Sequence, residues 1–264
     1  MIIITAKDLA SAEYRDELQR IVDKENAKPG RTASPHCPKC KDRKSFFKVV
    51  FFEETQSYEI AIAECECKSK REANMLAAEQ LGEYRNKTMS DFVANEEWRK
   101  DMKDLAIAFL QDGGNKWFFI CGQSGCGKSL ICSIISNSLI TVYHRDLVRI
   151  SWPEYFGRTK RDSRNEDLSK TVSESLERVK TCEVLYIDEL LKNYTEADLR
   201  YYSEIIDYRY TNNLKTIINS EMTLDELFAI DESTISKIIE KSDIYVKVIG
   251  KDIAKNYRLR KFAK

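Results

Sequence analysis

The chain has 264 residues, enough for one large domain or for a small one followed by a medium one. Its 43 Lys and Arg balance 43 Asp and Glu, so whole-chain charge does not announce a nucleic-acid binder, and the 33% of charged residues suits a water-exposed, helix-rich surface. No apolar run approaches membrane length, and the start, Met1-Ile-Ile-Ile-Thr5, lacks the basic segment of a signal peptide. These features predict a cytoplasmic, reducing setting, where the eight cysteines serve as thiols or metal ligands rather than disulfides.

In chain order, Thr5 is the first predicted helix cap, with Asp8 as its capping-box partner. Tyr14, Leu18, Ile21 and Val22 share one helical face, and Pro29-Gly30 ends the helix. Cys37-Pro-Lys-Cys40 follows. Two β-rich runs come next, Phe46–Phe52 and Tyr58–Ala63, joined by a polar turn, and Cys65-Glu-Cys67 closes the unit. Two tight thiolate pairs therefore flank a predicted hairpin. A unit of about 35 residues buries little core, and a tetrahedral metal would supply the missing stability. Zinc suits four thiolates best. His36, beside Cys37, could replace one ligand; an iron–sulfur cluster and unligated thiols are the other readings.

A charged, helical stretch (Lys68 to Tyr84) leads to a predicted linker at Arg85–Ser90, which divides the chain into domains 1–85 and 86–264. Trp98, Met102, Leu105 and Phe109 fall on one face of a predicted helix over Asn95–Gln111, stopped by Gly113-Gly114. Five of the nine glycines lie between Gly113 and Gly127. Three belong to Gly122-Gln123-Ser124-Gly125-Cys126-Gly127-Lys128-Ser129, which matches the phosphate-binding loop G-x-x-x-x-G-K-[ST]. Glycine lets the backbone bend tightly and approach a ligand, so that successive N–H groups cradle an anion. Lys128 is placed to reach the β- and γ-phosphates, and the Ser129 hydroxyl to ligate Mg²⁺. A buried strand, Trp117–Ile120, enters the loop, and an apolar-faced helix, Leu130–Ile140, leaves it.

Strand-like runs then alternate with helical ones: Trp117–Cys121, Leu147–Ser151, Val184–Ile187, Thr216–Ile218 and Ile244–Ile249. Such alternation predicts a parallel sheet covered by helices. Val184-Leu-Tyr-Ile-Asp188-Glu189 delivers an acid pair at a strand's carboxyl end, where open α/β sheets bind ligands. Asp188 would hold Mg²⁺, and Glu189 would orient the attacking water or take its proton. Asn219 or Ser220, ending the next predicted strand, could touch the γ-phosphate or that water. Arg209 reads as a surface helix residue or as a contact to a neighbouring element or subunit. Cys121, Cys126, Cys132 and Cys182 read as small buried or loop residues. The tail, Lys251 to Lys264, carries six basic residues against one acid. There Arg258 could report on the nucleotide, the tail could touch single-strand phosphates, or it could be a solvated terminus.

Taken in order, these pieces resemble the DnaC/DnaI-type loaders of replicative helicases, in the form carried by many phages of Gram-positive bacteria. The resemblance spans nearly the whole chain. It includes the cysteine unit (Cys37, Cys40, Cys65, Cys67), the linker ending near Thr88–Phe92, the loop Gly122–Ser129 and the pair Asp188–Glu189. It continues through Ile205-Ile-Asp-Tyr-Arg209-Tyr210, Thr216-Ile-Ile-Asn219-Ser220, Ile235-Ser-Lys237 and Asn256-Tyr-Arg258-Leu. It implies an AAA+ ATPase with a P-loop parallel sheet and flanking helices, preceded by a small zinc-ribbon-like domain that grips a DnaB-type hexameric helicase. ATP or ADP, Mg²⁺ and Zn²⁺ would be its cofactors. Single-stranded DNA and neighbouring ATPase domains would be its further partners, with no membrane involved. The activity implied is ATP-dependent loading of the helicase during replication initiation, in the bacterial host's cytoplasm if the chain is phage-encoded. Lys128, Asp188, Glu189 and Asn219 would carry the hydrolysis. Two positions depart from the family. Lys237 stands where many relatives have an arginine finger, and lysine lacks the planar fork of arginine. Glu221 stands where many have Asn. Two other functions fit parts of the pattern: a transposition ATPase of the IstB kind acting on duplex DNA, and a zinc-ribbon adaptor that binds nucleotide without hydrolysing it.

Overall fold

A computed structural model describes residues 9–30, 37–53, 55–67, 81–162 and 166–259, and the side chains of all of these except 158–162 and 166–172. The expected cap at Thr5 with Asp8, His36, most of Lys68–Tyr84 and the end of the basic tail lie outside the described residues. The chain forms two compact units, Met1–Glu72 and Ala73–Lys264.

In the first unit, helix α1 (Ala12–Ala27) is capped by Ser11, whose hydroxyl accepts from the Tyr14 N–H at 3.1 Å. It ends just before Pro29, whose missing N–H and fixed φ cannot continue it. Strands β1 (Ser45–Phe52) and β2 (Ser57–Glu64) form an antiparallel hairpin in which Phe47 faces Ile62 and Phe51 faces Tyr58. The Asn26 side-chain amide completes the free edge of β1: it donates to the Phe47 carbonyl at 2.8 Å and accepts from the Phe47 N–H at 3.0 Å. Arg43 ties the turn after Cys40 to the helix end, donating to the carbonyls of Cys40, Glu25 and Asn26. The Glu25 and Asn26 carbonyls belong to the last turn of α1, where intrahelical donors run out.

The second unit is a three-layer α/β/α sandwich. After helix α2 (Glu97–Gln111) come β3 (Phe118–Gly122), α3 (Lys128–Thr141), β4 (Leu147–Ser151), α4 (Trp152–Asp162), α5 (Glu166–Thr181), β5 (Val184–Asp188), α6 (Glu196–Thr211), β6 (Lys215–Ser220), α7 (Leu224–Ser242) and β7 (Val246–Ile249). The five strands are parallel in the order β4-β5-β6-β3-β7. Strand residues alternate between faces, so β3 builds two cores. Phe118 and Ile120 pack with Met102, Phe109, Ile131 and Ile134, while Phe119 and Cys121 pack with Val179, Tyr202, Ile205 and Ile235. Capping boxes start α6 (Thr195 with Asp198) and α7 (Thr223 with Glu226). The chain kinks inside α7 at Asp231, whose carboxylate accepts from the Thr234 N–H at 3.0 Å and restarts the helix.

Residues before α2 pack on this second unit. Leu81 and Phe92 are buried in its core, and the Asn137 amide donates to the carbonyls of Tyr84 (2.7 Å) and Lys87 (3.1 Å). The boundary read at residue 85 thus falls later in the chain than the division between Glu72 and Ala73. Of the two readings of Arg209, the contact to a neighbouring element holds and the surface position is corrected. It is fully buried, and its guanidinium donates to the carbonyls of Val179, Lys180, Cys182 and Lys215 and to the Thr216 hydroxyl. It joins the end of α5 to the start of β6. All four remaining cysteines, Cys121, Cys126, Cys132 and Cys182, are buried thiols, as read.

Candidate nucleotide site and thiolate cluster

Because β6 pairs in parallel with both β3 and β5, the carboxyl ends of these strands lie side by side. The loop after β3, the acid pair after β5 and the residues Asn219–Glu221 meet at that edge. Gly122, Gly125 and Gly127 take φ of 108°, 72° and 100°, values that favour glycine. A Cβ on Gly122 would come within 2.0 Å of the Ile249 carbonyl oxygen, and one on Gly125 within 2.2 Å of Asn256 Oδ1. Helix α3 starts immediately after, so its unpaired amides and positive dipole end face the loop. Lys128 is 5% exposed, and its Nζ donates to the carbonyls of Gly122 (2.9 Å) and Gln123 (2.7 Å).

The Ser129 hydroxyl donates to Asp188 Oδ1 at 3.0 Å. A hydroxyl beside a carboxylate is an oxygen pair that fits a hard divalent cation such as Mg²⁺. The Asn219 amide donates to the same Asp188 oxygen at 2.7 Å and to Tyr186 Oη at 2.8 Å, and its Oδ1 accepts from the Glu189 N–H at 2.9 Å. Asn219 is buried and holds the acid pair from behind; it does not line the cavity. Ser220 is also buried and donates to the Leu190 carbonyl. Arg149, on β4, pairs with Asp188 Oδ2.

A cavity of about 340 Å³ opens over the loop, lined among others by Lys128, Ser129, Glu189 and Arg258. Arg258 is brought there by backbone bonds: the Tyr257 N–H donates to the Gly125 carbonyl at 2.9 Å, and the Arg258 N–H to Asn256 Oδ1 at 3.1 Å. Further charged residues line this cavity that the sequence does not assign to it, among them Arg99, Lys192 and Glu221. Arg99, on α2, stacks 4.5 Å from the Phe92 ring and donates to the Cys126 carbonyl at 3.4 Å. Lys192 and Glu221 form an ion pair at 3.1 Å. Lys237 is not part of the cavity lining and pairs with Asp207 at 2.7 Å.

In the first unit, the sulfurs of Cys37, Cys40, Cys65 and Cys67 all lie within 4.8 Å of one another. Cys37 and Cys65 are 3.7 Å apart, and Cys40 and Cys67 3.3 Å. Tetrahedral zinc with Zn–S bonds of ~2.3 Å sets its sulfurs ~3.8 Å apart, so the donor set fits that ion. The turn after Cys40 places Lys41, Asp42 and Lys44 in the left-handed region, and the Asp42 carboxylate accepts from the Cys37 N–H at 3.0 Å. Burial pushes the thiols of Cys40, Cys65 and Cys67 up, but hydrogen bonds, the largest with Cys67, outweigh it at Cys40, which drops to about 7, while Cys65 and Cys67 stay raised.

Fold and site together are similar to those of AAA-type ATPase domains. Residues 118–234 match the family described as "ATPase family associated with various cellular activities (AAA)". More particularly, parts of the chain are similar to a phage-element protein and to a helicase loader. It is 27% identical over 176 residues to the phage-like element PBSX protein XkdC of Bacillus subtilis (strain 168), covering 64% of this chain and 60% of that protein. It is 25% identical over 126 residues to the replicative helicase loader DnaI of the same strain, covering 47% of this chain and 39% of that one. The match therefore spans less than two thirds of either relative. The fold is shared with the DnaC helicase loader in its crystal structure, at a TM-score of 0.56 and 20% identity over 64% of this chain and 99% of that one. Among the described residues, no helix is long and apolar enough to cross a membrane.

Proposed function

We propose that this protein is an ATP-dependent loader of a hexameric, DnaB-type replicative helicase onto single-stranded DNA. The observation that carries the ATPase part is the convergence of Lys128, Ser129, Asp188 and Glu189 at one strand edge, with three of them lining a single cavity. The loop amides and Lys128 would hold the phosphates of ATP, and Ser129 with Asp188 would hold Mg²⁺. Glu189 would orient a water against the terminal phosphate and accept its proton, and Asn219 fixes the position of both acids. Arg258 would sit against the phosphates from the C-terminal side.

The loading part is supported by the similarity to DnaI. In this reading the zinc-bound N-terminal unit grips the helicase, neighbouring ATPase domains associate, and ATP hydrolysis releases the grip. Lys237 is held by Asp207 of its own chain. A trans-acting role for it would require that pair to open. Co-purification with the replicative helicase of the same replication system, with ATP and with ADP, tests the proposal. Nucleotide-dependent capture supports it; no capture with both proteins folded counts against it.

A further inference from the structure

The loop after β5 is held in an unusual backbone. Glu189, Leu191 and Asn193 have φ of 60°, 60° and 52°, a region that residues with a Cβ visit at a cost. Two bonds hold it there: the Leu190 N–H donates to the Asn219 carbonyl at 2.8 Å, and the Lys192 N–H to the Glu189 carbonyl at 3.0 Å. The loop directs the Lys192 ammonium into the cavity, between two carboxylates. It bonds Glu189 Oε1 on one side and lies 3.1 Å from Glu221 Oε2 on the other. The second Glu221 oxygen accepts from the Ser124 hydroxyl of the phosphate-binding loop at 2.7 Å. A continuous polar chain thus runs Ser124–Glu221–Lys192–Glu189. Its last three members line the same cavity as Lys128 and Ser129.

We propose that Lys192 senses the terminal phosphate of the bound nucleotide, exchanging Glu189 for a γ-phosphate oxygen and so freeing Glu189 only when a triphosphate is present. This deepens the ATPase reading and rests on it. A carboxylate engaged by an ammonium has its lone pairs occupied and is a poor acceptor for a proton from water. A phosphate with greater negative charge competes with a carboxylate for the same donor. Glu221 sets the direction of the switch. Its charge against the loop opposes a further anion, and Lys192 is the cation placed to offset it. A diphosphate brings no oxygen to that position and leaves the Lys192–Glu189 pair closed. Burial opposes the charged forms of Lys192 and Glu221, yet their pairing outweighs it, raising the lysine and lowering the acid, so both are charged at neutral pH.

The test is equilibrium titration of the full chain, with Mg²⁺, against a fluorescent ADP and a non-hydrolysable fluorescent ATP analogue. Lys192→Met is expected to weaken the triphosphate by about tenfold while leaving the diphosphate unchanged, the usual size for losing a hydrogen bond to a charged group. Lys192→Arg should recover part of the loss. Glu221→Gln should raise the preference for triphosphate, because it removes the opposing charge and leaves Lys192 in place. An equal fall for both nucleotides in Lys192→Met, no change for either, or a reduced preference in Glu221→Gln would overturn the proposal. If the folded parent chain binds neither nucleotide, the ATPase reading fails and this inference fails with it; binding with an unaltered preference in the variants sinks this inference alone.

Discussion

The two units reach stability by opposite means. Among its described residues, the only hydrophobic side chains that the first buries are Leu18 and Val22 besides Cys40 and Cys65, and its hairpin leaves Phe51, Phe52, Ile60 and Ile62 exposed. The second packs aromatic and branched side chains on both faces of a five-stranded sheet. A small surface-rich fold cannot offset its chain entropy by apolar burial, whereas a larger one can. In the proposed reading a zinc-bound cysteine cluster replaces a core in the first unit, whereas the cysteines of the second are part of one.

That contrast breaks first under metal removal. Chelation of zinc, or Cys40→Ser, should unfold the N-terminal unit entirely while the second unit keeps its own melting transition, as circular dichroism with limited proteolysis would show. Metal analysis should find one zinc per chain. A chain without metal whose N-terminal unit still resists protease would remove the distinction. The converse perturbation is Lys128→Ala, which should cost ATP affinity about a hundredfold or more, because a desolvated triphosphate loses its buried cation, and should leave zinc content untouched. Nucleotide titration checks it.

Arg209→Met should destabilise the second unit alone. It removes the guanidinium donor from the carbonyls of Val179, Lys180, Cys182 and Lys215, for a loss of about 3 kcal/mol in denaturant unfolding. The smallest effect concerns Lys215. Burial lowers its ammonium from the ordinary 10.5 to about 8. Between those values the unfolded chain binds a proton that the folded one does not, so this group makes stability rise with pH across that window and costs stability below it. Lys215→Met should flatten the rise between pH 8 and 10.5 in unfolding curves.

Much of this arrangement was legible in the sequence because the chemistry there is local. Glycines at Gly122, Gly125 and Gly127 announce a loop that needs positive φ, and close cysteine pairs announce a ligand set. Alternating apolar runs announce a parallel sheet. What was not legible depends on contacts across the sheet. Arg209 reads from sequence as a surface helix residue or as a contact to a neighbouring element or subunit, and only the meeting of α5 and β6 decides for a buried clamp. Glu221 was visible as a departure from the family pattern, but not as the partner of Ser124 and Lys192, which lie 97 and 29 positions away on other strand ends. Arg149 reached Asp188 by the same route, since β4 and β5 are neighbours only in the folded sheet. Asn219 was placed at the right strand end, yet its amide turns inward to the acids instead of toward the cavity.

The most direct measurement is ATP turnover by Glu189→Gln beside its nucleotide affinity. Removing the proton acceptor while keeping shape and hydrogen-bonding capacity should leave ATP binding close to that of the parent and reduce turnover by at least about a hundredfold. Turnover at the parent's rate with binding intact would contradict the assignment of this strand edge as a hydrolytic centre.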